Sequence, residues 1–235
     1  SLHGINDASI RIGLRLSKDE TIVRMPFEVR HMGSKYPIFS FDFTGAKRGV
    51  LPASYDYLRL EGRMQYRLNL PPIGYSQLML EGGKIFGEVP YLLLKLHEGN
   101  GTYFYDRYAF SCMNFYEFSS DAWISFFYEH HFNGFLLGRV PLLKKLNWRE
   151  VFVFKGVYGT LSARNDGSLP NTKAVMLFPV GMSSVEHPYL ETGFGIENIF
   201  RLLRVDCIWR LTHHRAVPGL SIPTFTVNFS LNLKF

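Results

Sequence analysis

Two adjacent histidines, His130 and His131, are the residues whose type and spacing most invite chemistry. Imidazoles bind metals and move protons near neutral pH. Successive side chains on a strand point to opposite faces, so this pair cannot converge on one metal from a regular strand. Ser125 shares a face with His131, and a serine near a histidine is the beginning of a hydrolase site. Six residues of strand separate the two, roughly 20 Å at about 3.3 Å per residue, which excludes a direct hydrogen bond. A hydrolase built on Ser125 and His131 is therefore the weakest reading of the chain. His213 and His214 fall in a loop and read as solvated. Cys112 and Cys207 are too few for a disulfide framework, and each sits on a face that looks apolar. The expectation is no catalytic residue, no metal, no cofactor and no enzyme activity.

Charge is distributed with the same period of two. Arg11, Arg15, Arg24, Arg30, Arg59, Arg63, Arg67, Arg204 and Arg210 share faces with Glu28, Glu61, Glu129, Glu191, Glu197 and Asp206. A ladder of mixed charge is tolerated only in a wet lumen or as satisfied cross-strand pairs. It predicts either an anion-favouring channel or, with more weight, structural pairing inside a hydrated barrel. The net charge of +6 could point to nucleic acid. The arginines stand singly and alternate with acids rather than forming a surface block, so no nucleic-acid partner is expected.

The elements that must position these residues are strands. In Thr224–Phe235, Phe225, Val227, Phe229, Leu231, Leu233 and Phe235 point one way, and Thr224, Thr226, Asn228, Ser230, Asn232 and Lys234 the other. The same alternation runs through Ala8–Ser17, Thr21–His31, Tyr57–Leu70 and Leu203–Thr212. Segments of about ten residues patterned this way match a tilted transmembrane strand. No apolar run approaches the length of a transmembrane helix. Ten strands are predicted, at 8–17, 21–31, 36–43, 57–70, 75–86, 121–133, 148–160, 189–197, 199–212 and 224–235, with 107–118 in a loop excursion. If the C-terminus is periplasmic, 87–120 becomes the largest external loop, 161–188 a second one, and 71–74 a tight turn on the other side. The fourteen-residue connection 134–147 fits less easily. Ile196, Ile199, Phe200 and Leu203 have helical spacing, but Asn198 between two alternating segments favours a hairpin. Tyr55, Tyr57, Tyr75, Trp123, Trp148 and Trp209 lie near strand ends or midway along, and the end ones suit aromatic girdles.

The fold class expected is all-β, a transmembrane antiparallel β-barrel. The chain is in a strand by Ala8 with no charged and apolar leader before it, so the expectation is a mature product or a fragment. The strand count favours a fragment, with 1–235 a single C-terminal barrel segment whose first strands and periplasmic domain are missing.

Three stretches carry a resemblance: YFYDRYAFSCMNFYEF (103–118), EHHFNGFLLGRVPLLKKLNWRE (129–150) and PYLETGFGIENIFRLLRVDCIWRLT (188–212). They resemble the C-terminal barrel of an outer-membrane family of the Bacteroidota. Its members carry an N-terminal carboxypeptidase-regulatory-like domain, and its function is unassigned. More distantly the chain is similar to the surface-antigen superfamily of BamA and TamA, whose barrels have sixteen strands. The resemblance implies that this chain holds the last ten strands of sixteen. It implies a loop arginine folded into the lumen, here Arg107 beside Asp106, paired in a bidentate fashion with Glu129. No Val-Arg-Gly-Phe box occurs, since Tyr108 and Ala109 follow Arg107, and Phe152–Gly156 lacks the acid expected of its strand. The terminal aromatic, with Phe235, Leu233, Leu231 and Phe229 on one face, resembles the assembly signal of bacterial outer-membrane proteins. The location implied is the outer membrane of a Gram-negative bacterium. The function implied is assembly or translocation of protein or lipid there, with membrane lipid, client barrels or periplasmic assembly factors as partners. The alternative is a passive pore or anchoring barrel with a mixed-charge lumen.

Overall fold

Alternating β-branched and aromatic residues fit a pleated surface, and their spacing here gives strands over most of the chain. A computed structural model describes residues 5–25, 27–31, 33–50, 52–215 and 221–231. In chain order the strands are β1 (Ile10–Leu16), β2 (Ile22–Arg24), β3 (Val29–His31), β4 (Ile38–Ala46), β5 (Tyr57–Asn69), β6 (Tyr75–Gly87) and β7 (Lys95–Leu96). There follow β8 (Phe118–Ser120), β9 (Ala122–His131), β10 (Arg149–Thr160), β11 (Ser183–Ser184), β12 (Tyr189–Ile199), β13 (Leu203–Arg210) and β14 (Phe225–Leu231).

Nine of them form one sheet in the order β1-β4-β5-β6-β9-β10-β12-β13-β14, and every neighbouring pair is antiparallel. The protein is thus all-β, an up-and-down meander with β1 and β14 as its edges. Register is continuous over long stretches, from Tyr57↔Gly87 to Asn69↔Tyr75 between β5 and β6.

One expected strand does not join the sheet. Segment 21–31 is instead the small hairpin β2–β3, with Val23 opposite Arg30. The Met25 N–H donates to the Glu28 carbonyl at 2.8 Å and closes a tight turn. The sequence also carries Pro26, which cannot donate to a ladder. With that strand removed, β1 runs in the same direction as β14 rather than against it. Connection 17–37 then lies at the same end of the sheet as 70–74, 132–148 and 200–202.

The other irregular connections have local causes. Pro141 begins the short helix α1 (Pro141–Lys144) at a position where its missing N–H costs nothing, and a 3₁₀ turn at Leu137–Arg139 precedes it. Together they take up the long 134–147 connection. Asn198, at φ 68°, helps close the β12–β13 hairpin in place of the competing helix.

The two faces of the sheet differ in kind. Outward, Phe126, Phe152, Phe154, Phe194, Trp209 and Phe225 make cross-strand aromatic contacts across β9 to β14. Inward, the sheet carries charge and is covered by its own connections, 88–121 and 161–188. The core therefore lies between sheet and loop. Met79, Phe127, Val157 and Tyr189 of the strands pack with Phe110, Met113, Phe118 and Val185 of the connections. A second cluster joins Ala46, Tyr57, Ile85 and Trp123 to Val89 and Leu94. Trp123, Tyr57 and Tyr75 thus face inward rather than forming girdles, while Trp209 faces out.

Candidate functional site

The long connection between β6 and β9 is pinned to the inner face by buried charge. Period two turns Glu129 and His131 of β9, Lys155 of β10, Glu191 and Glu197 of β12, and Arg204, Asp206 and Arg210 of β13 toward it. All eight are buried. Burying them is tolerable only if each finds partners, and the loop supplies many of these.

Glu129 is the centre. Arg107 Nε of the loop donates to its Oε2 at 2.8 Å, and Arg204 Nη2 to its Oε1 at 3.2 Å. The Tyr105 hydroxyl also donates to Oε1. His131 Nε2 lies 3.4 Å from Oε2, while its Nδ1 meets Glu197 at 3.1 Å and its ring stacks on Tyr75. Arg204 in turn grips Asp206, with Nε 2.8 Å from Oδ2 and Nη2 2.8 Å from Oδ1. The expected Arg107–Glu129 pair is therefore brought together, but through one nitrogen. The bidentate geometry falls to Arg204 and Asp206, because Arg204, Tyr105 and His131 crowd the remaining positions around Glu129. Burial opposes charge on Arg107, yet the facing carboxylate outweighs it and holds the guanidinium above its ordinary pKa. Burial, with Glu129 beside it, likewise keeps the Tyr105 phenol protonated well above its usual range.

Three further clamps hold the same loop. Lys155 Nζ donates to the carbonyl oxygens of Asp106 and Ala109 at 2.7 and 2.6 Å. The Glu191 carboxylate accepts the backbone N–H groups of Ser111 and Cys112 at 2.8 and 2.6 Å, and the Tyr189 hydroxyl at 2.6 Å. Arg210 reaches Glu117 at 2.6 Å and the Cys112 carbonyl at 3.1 Å. Asp106 does not face a strand carboxylate or arginine; its side chain accepts the Tyr108 N–H and shapes the turn. Burial pushes the Cys112 thiol up to about 12, so it stays protonated.

Nearer the far end of the loop, Lys95 bridges Glu81 and Glu98 at 2.8 and 3.0 Å. His97 contacts the buried Ser120 hydroxyl at 3.0 Å, and burial drives its imidazole down to about 3. A cleft of about 390 Å³ opens beside Arg107, bounded also by Tyr108, Arg67, Gln77 and Lys35.

A second serine–histidine contact sits elsewhere, where Ser76 Oγ lies 2.8 Å from His130 Nδ1. His130 Nε2 must donate to the Ile73 carbonyl, so Nδ1 accepts the serine proton. The Tyr128 hydroxyl caps Ser76 at 3.0 Å. This is a hydrogen-bonded strand end tied to the 70–74 turn, and Ser125 and His131 stay apart.

At the edge strand, Phe229 and Leu231 point outward and are exposed; Leu233 and Phe235 lie outside the described residues. The edge is not bare. The Phe229 N–H donates to the Tyr103 carbonyl and the Tyr105 N–H to the Phe229 carbonyl, both at 2.7 Å. Asn228, inward and buried, donates to the Thr102 carbonyl at 3.1 Å.

Sequence reasoning placed most of the inward ladder but missed Tyr105, Lys155, Glu117 and Asn228 as loop partners. For Lys155 there was a signal, a lone cation sharing a face with Val153 and Val157. For Glu117 there was none, because Arg210 lies 93 residues away.

Residues 5–163 match a family model described as the C-terminal domain of a family of unknown function, DUF5686. No curated protein matches the chain.

Proposed function

We propose, from the premise that this chain belongs to the DUF5686 family through its C-terminal domain, that it is part of an outer-membrane β-barrel acting in assembly or translocation. The observation that carries this reading is the inverted polarity of the sheet. Large apolar side chains from Ile12 of β1 to Phe229 of β14 stand exposed on the outer face. Buried charged side chains share the inner one with an apolar core under the loops. In water that arrangement would leave a wide apolar surface uncovered. In a bilayer it is the ordinary pattern, with lipid outside and a polar lumen within. The Gram-negative outer membrane is the setting in which such barrels occur. The similarity to the Bacteroidota family and, more remotely, to the BamA and TamA superfamily belongs to this same reading, as do sixteen strands in the whole barrel.

Assembly is favoured over a passive pore because the inner face is occupied. A loop clamped by Glu129, Lys155, Glu191 and Arg210 lies where an open channel would need water. By the resemblance to the BamA and TamA superfamily, β14 would be the last strand of a seam that can open. Clients would be other barrel proteins or lipid, met at that seam.

The test has two stages. In purified outer membranes the full-length protein should resist SDS unheated and migrate differently once boiled. Its depletion should lower the amounts of other barrels in the membrane. Migration that heating leaves unchanged removes the barrel, and depletion that alters only solute uptake favours a pore.

A further inference from the structure

We infer that the connection 132–148 between β9 and β10 is a membrane foot, which seats its aliphatic side chains in the bilayer interface and binds anionic phospholipid headgroups through Arg139, Lys144 and Lys145. The inference rests on the barrel reading and adds to it a lipid contact in the periplasmic leaflet.

The connection shares its end of the sheet with the turns 70–74 and 200–202, opposite the long connections 88–121 and 161–188. Long loops belong outside a barrel and tight turns on the periplasmic side, so this end meets the periplasmic leaflet. β9 and β10 are the fifth and sixth of nine strands in the sheet. The exposure of the foot therefore does not depend on what pairs with β1 or β14.

The chain turns back at Asn133 and Gly134, both at positive φ. Glu129 and Val151 point inward, so period two points Tyr128, His130, Glu150 and Phe152 outward. The Leu137 N–H donates to the Glu150 carboxylate, and the Phe132 ring meets the His130 ring edge-on at 4.3 Å. Both contacts are with outward side chains, so the connection folds toward the apolar face of the sheet. Asn198 ties it to the β12–β13 turn by donating to the Asn147 carbonyl at 2.8 Å.

What the fold displays there is amphipathic. Leu136, Val140, Leu142 and Leu146 are 53%, 45%, 81% and 48% exposed. Arg139, Lys144 and Lys145 are exposed among them, and no acid occurs from Phe132 to Trp148. In water those aliphatic side chains would stay uncovered. At a bilayer surface they enter the acyl boundary, while lysine and arginine reach the headgroups on long apolar stems. Cations without acids beside them favour anionic headgroups over zwitterionic ones. Continuity with the outward aromatic surface of β9 and β10 makes lipid, rather than a protein partner, the occupant.

The experiment uses the full-length protein in phosphatidylcholine vesicles, with and without phosphatidylglycerol, on a Cys207→Ala background. A nitroxide is attached at Leu142→Cys and, as a water-facing control, at Ser168→Cys in the 161–188 connection. Dissolved oxygen, which concentrates in the bilayer, should relax the label at position 142 more than a water-soluble nickel chelate does. At position 168 the order should reverse. In the unlabelled protein, spin-labelled phosphatidylglycerol should associate more tightly than spin-labelled phosphatidylcholine. Arg139→Gln/Lys144→Gln/Lys145→Gln should lower that preference about fivefold for each charge removed. Should the triple variant fail to insert, the label at position 142 decides alone. A heat-modifiable protein whose label there reads water overturns the foot and leaves the barrel. A label shielded from both relaxants, as under a covering protein segment, does the same, and so does a triple variant that keeps the full lipid preference. Migration that heating leaves unchanged overturns the barrel reading, and the foot falls with it.

Discussion

The inner face of the sheet is one sequence pattern in two environments. From β6 to β13 the alternating charges lie beneath the loops and close on one another or on loop backbone. On β1 and β4 the same alternation is open. The Arg11–Asp42 pair spans 3.0 Å with side chains 65% and 28% exposed, whereas Arg204–Asp206 spans 2.8 Å at 3% and 0%. Distance hardly separates them; solvent does. An exposed pair gains little because water screens it, while a buried pair is costly to break because the survivor is stranded. The charge ladder is thus a lock only where the loop covers it.

The strongest way to break that comparison is at its centre. Glu129→Gln leaves Arg204 facing a neutral amide with little solvent to replace the lost charge, while the Arg107 side chain, 37% exposed, can turn to water. Unfolding by urea from vesicles should show a loss of about 3–5 kcal/mol. Protease should then also cut near Arg107 in the folded protein. A loss under about 1 kcal/mol, the size expected of a solvated pair, would mean that the covered half is no different from the bare one.

The same contrast explains what the sequence could tell. Alternation alone marked β1, β5, β13 and β14, because period two is a property of each segment by itself. It failed at 21–31, where Val23, Met25, Phe27 and Val29 alternate like a sheet strand but form only a hairpin. It told which face Glu129 and Arg204 share without telling what lies across from them. The Arg107–Glu129 contact was reached through family resemblance, and its single-nitrogen geometry was not, since the crowding comes from Tyr105, Arg204 and His131 on three separate segments. Clamps from Glu191 to Ser111 and Cys112 use backbone groups of the loop, which no side-chain pattern reveals.

Acid should sharpen the comparison with a smaller effect. Burial holds His97 at about 3, below its ordinary 6.5. Between those values the unfolded chain binds a proton that the folded chain excludes. The contribution of His97 is therefore present above about pH 6.5 and lost as pH falls toward 3. The unfolding midpoint should fall between pH 7.5 and 4.5, and His97→Asn should flatten that slope. His97→Asn should also lower stability at pH 7.5 by about 1–3 kcal/mol, the cost of leaving a buried Ser120 hydroxyl poorly bonded. An unchanged slope in the variant would assign the acid effect to other groups.

The smallest effect belongs to the bare half. Asp42→Asn removes the partner of Arg11, and the guanidinium passes to water that already surrounds it. The expected change is about 0–1 kcal/mol, shrinking as salt rises. Gly13 complicates the site in an informative way, because a Cβ there would lie 3.0 Å from Asp42 Oδ1. Gly13→Ala therefore presses on the carboxylate rather than on backbone, and Asp42→Asn should leave that cost largely unchanged, since the amide is the same size. If Asp42→Asn instead costs as much as Glu129→Gln, Asp42 is buried in the intact protein. The bare half would then be covered by something upstream of β1, and exposure there would be a feature of this segment alone.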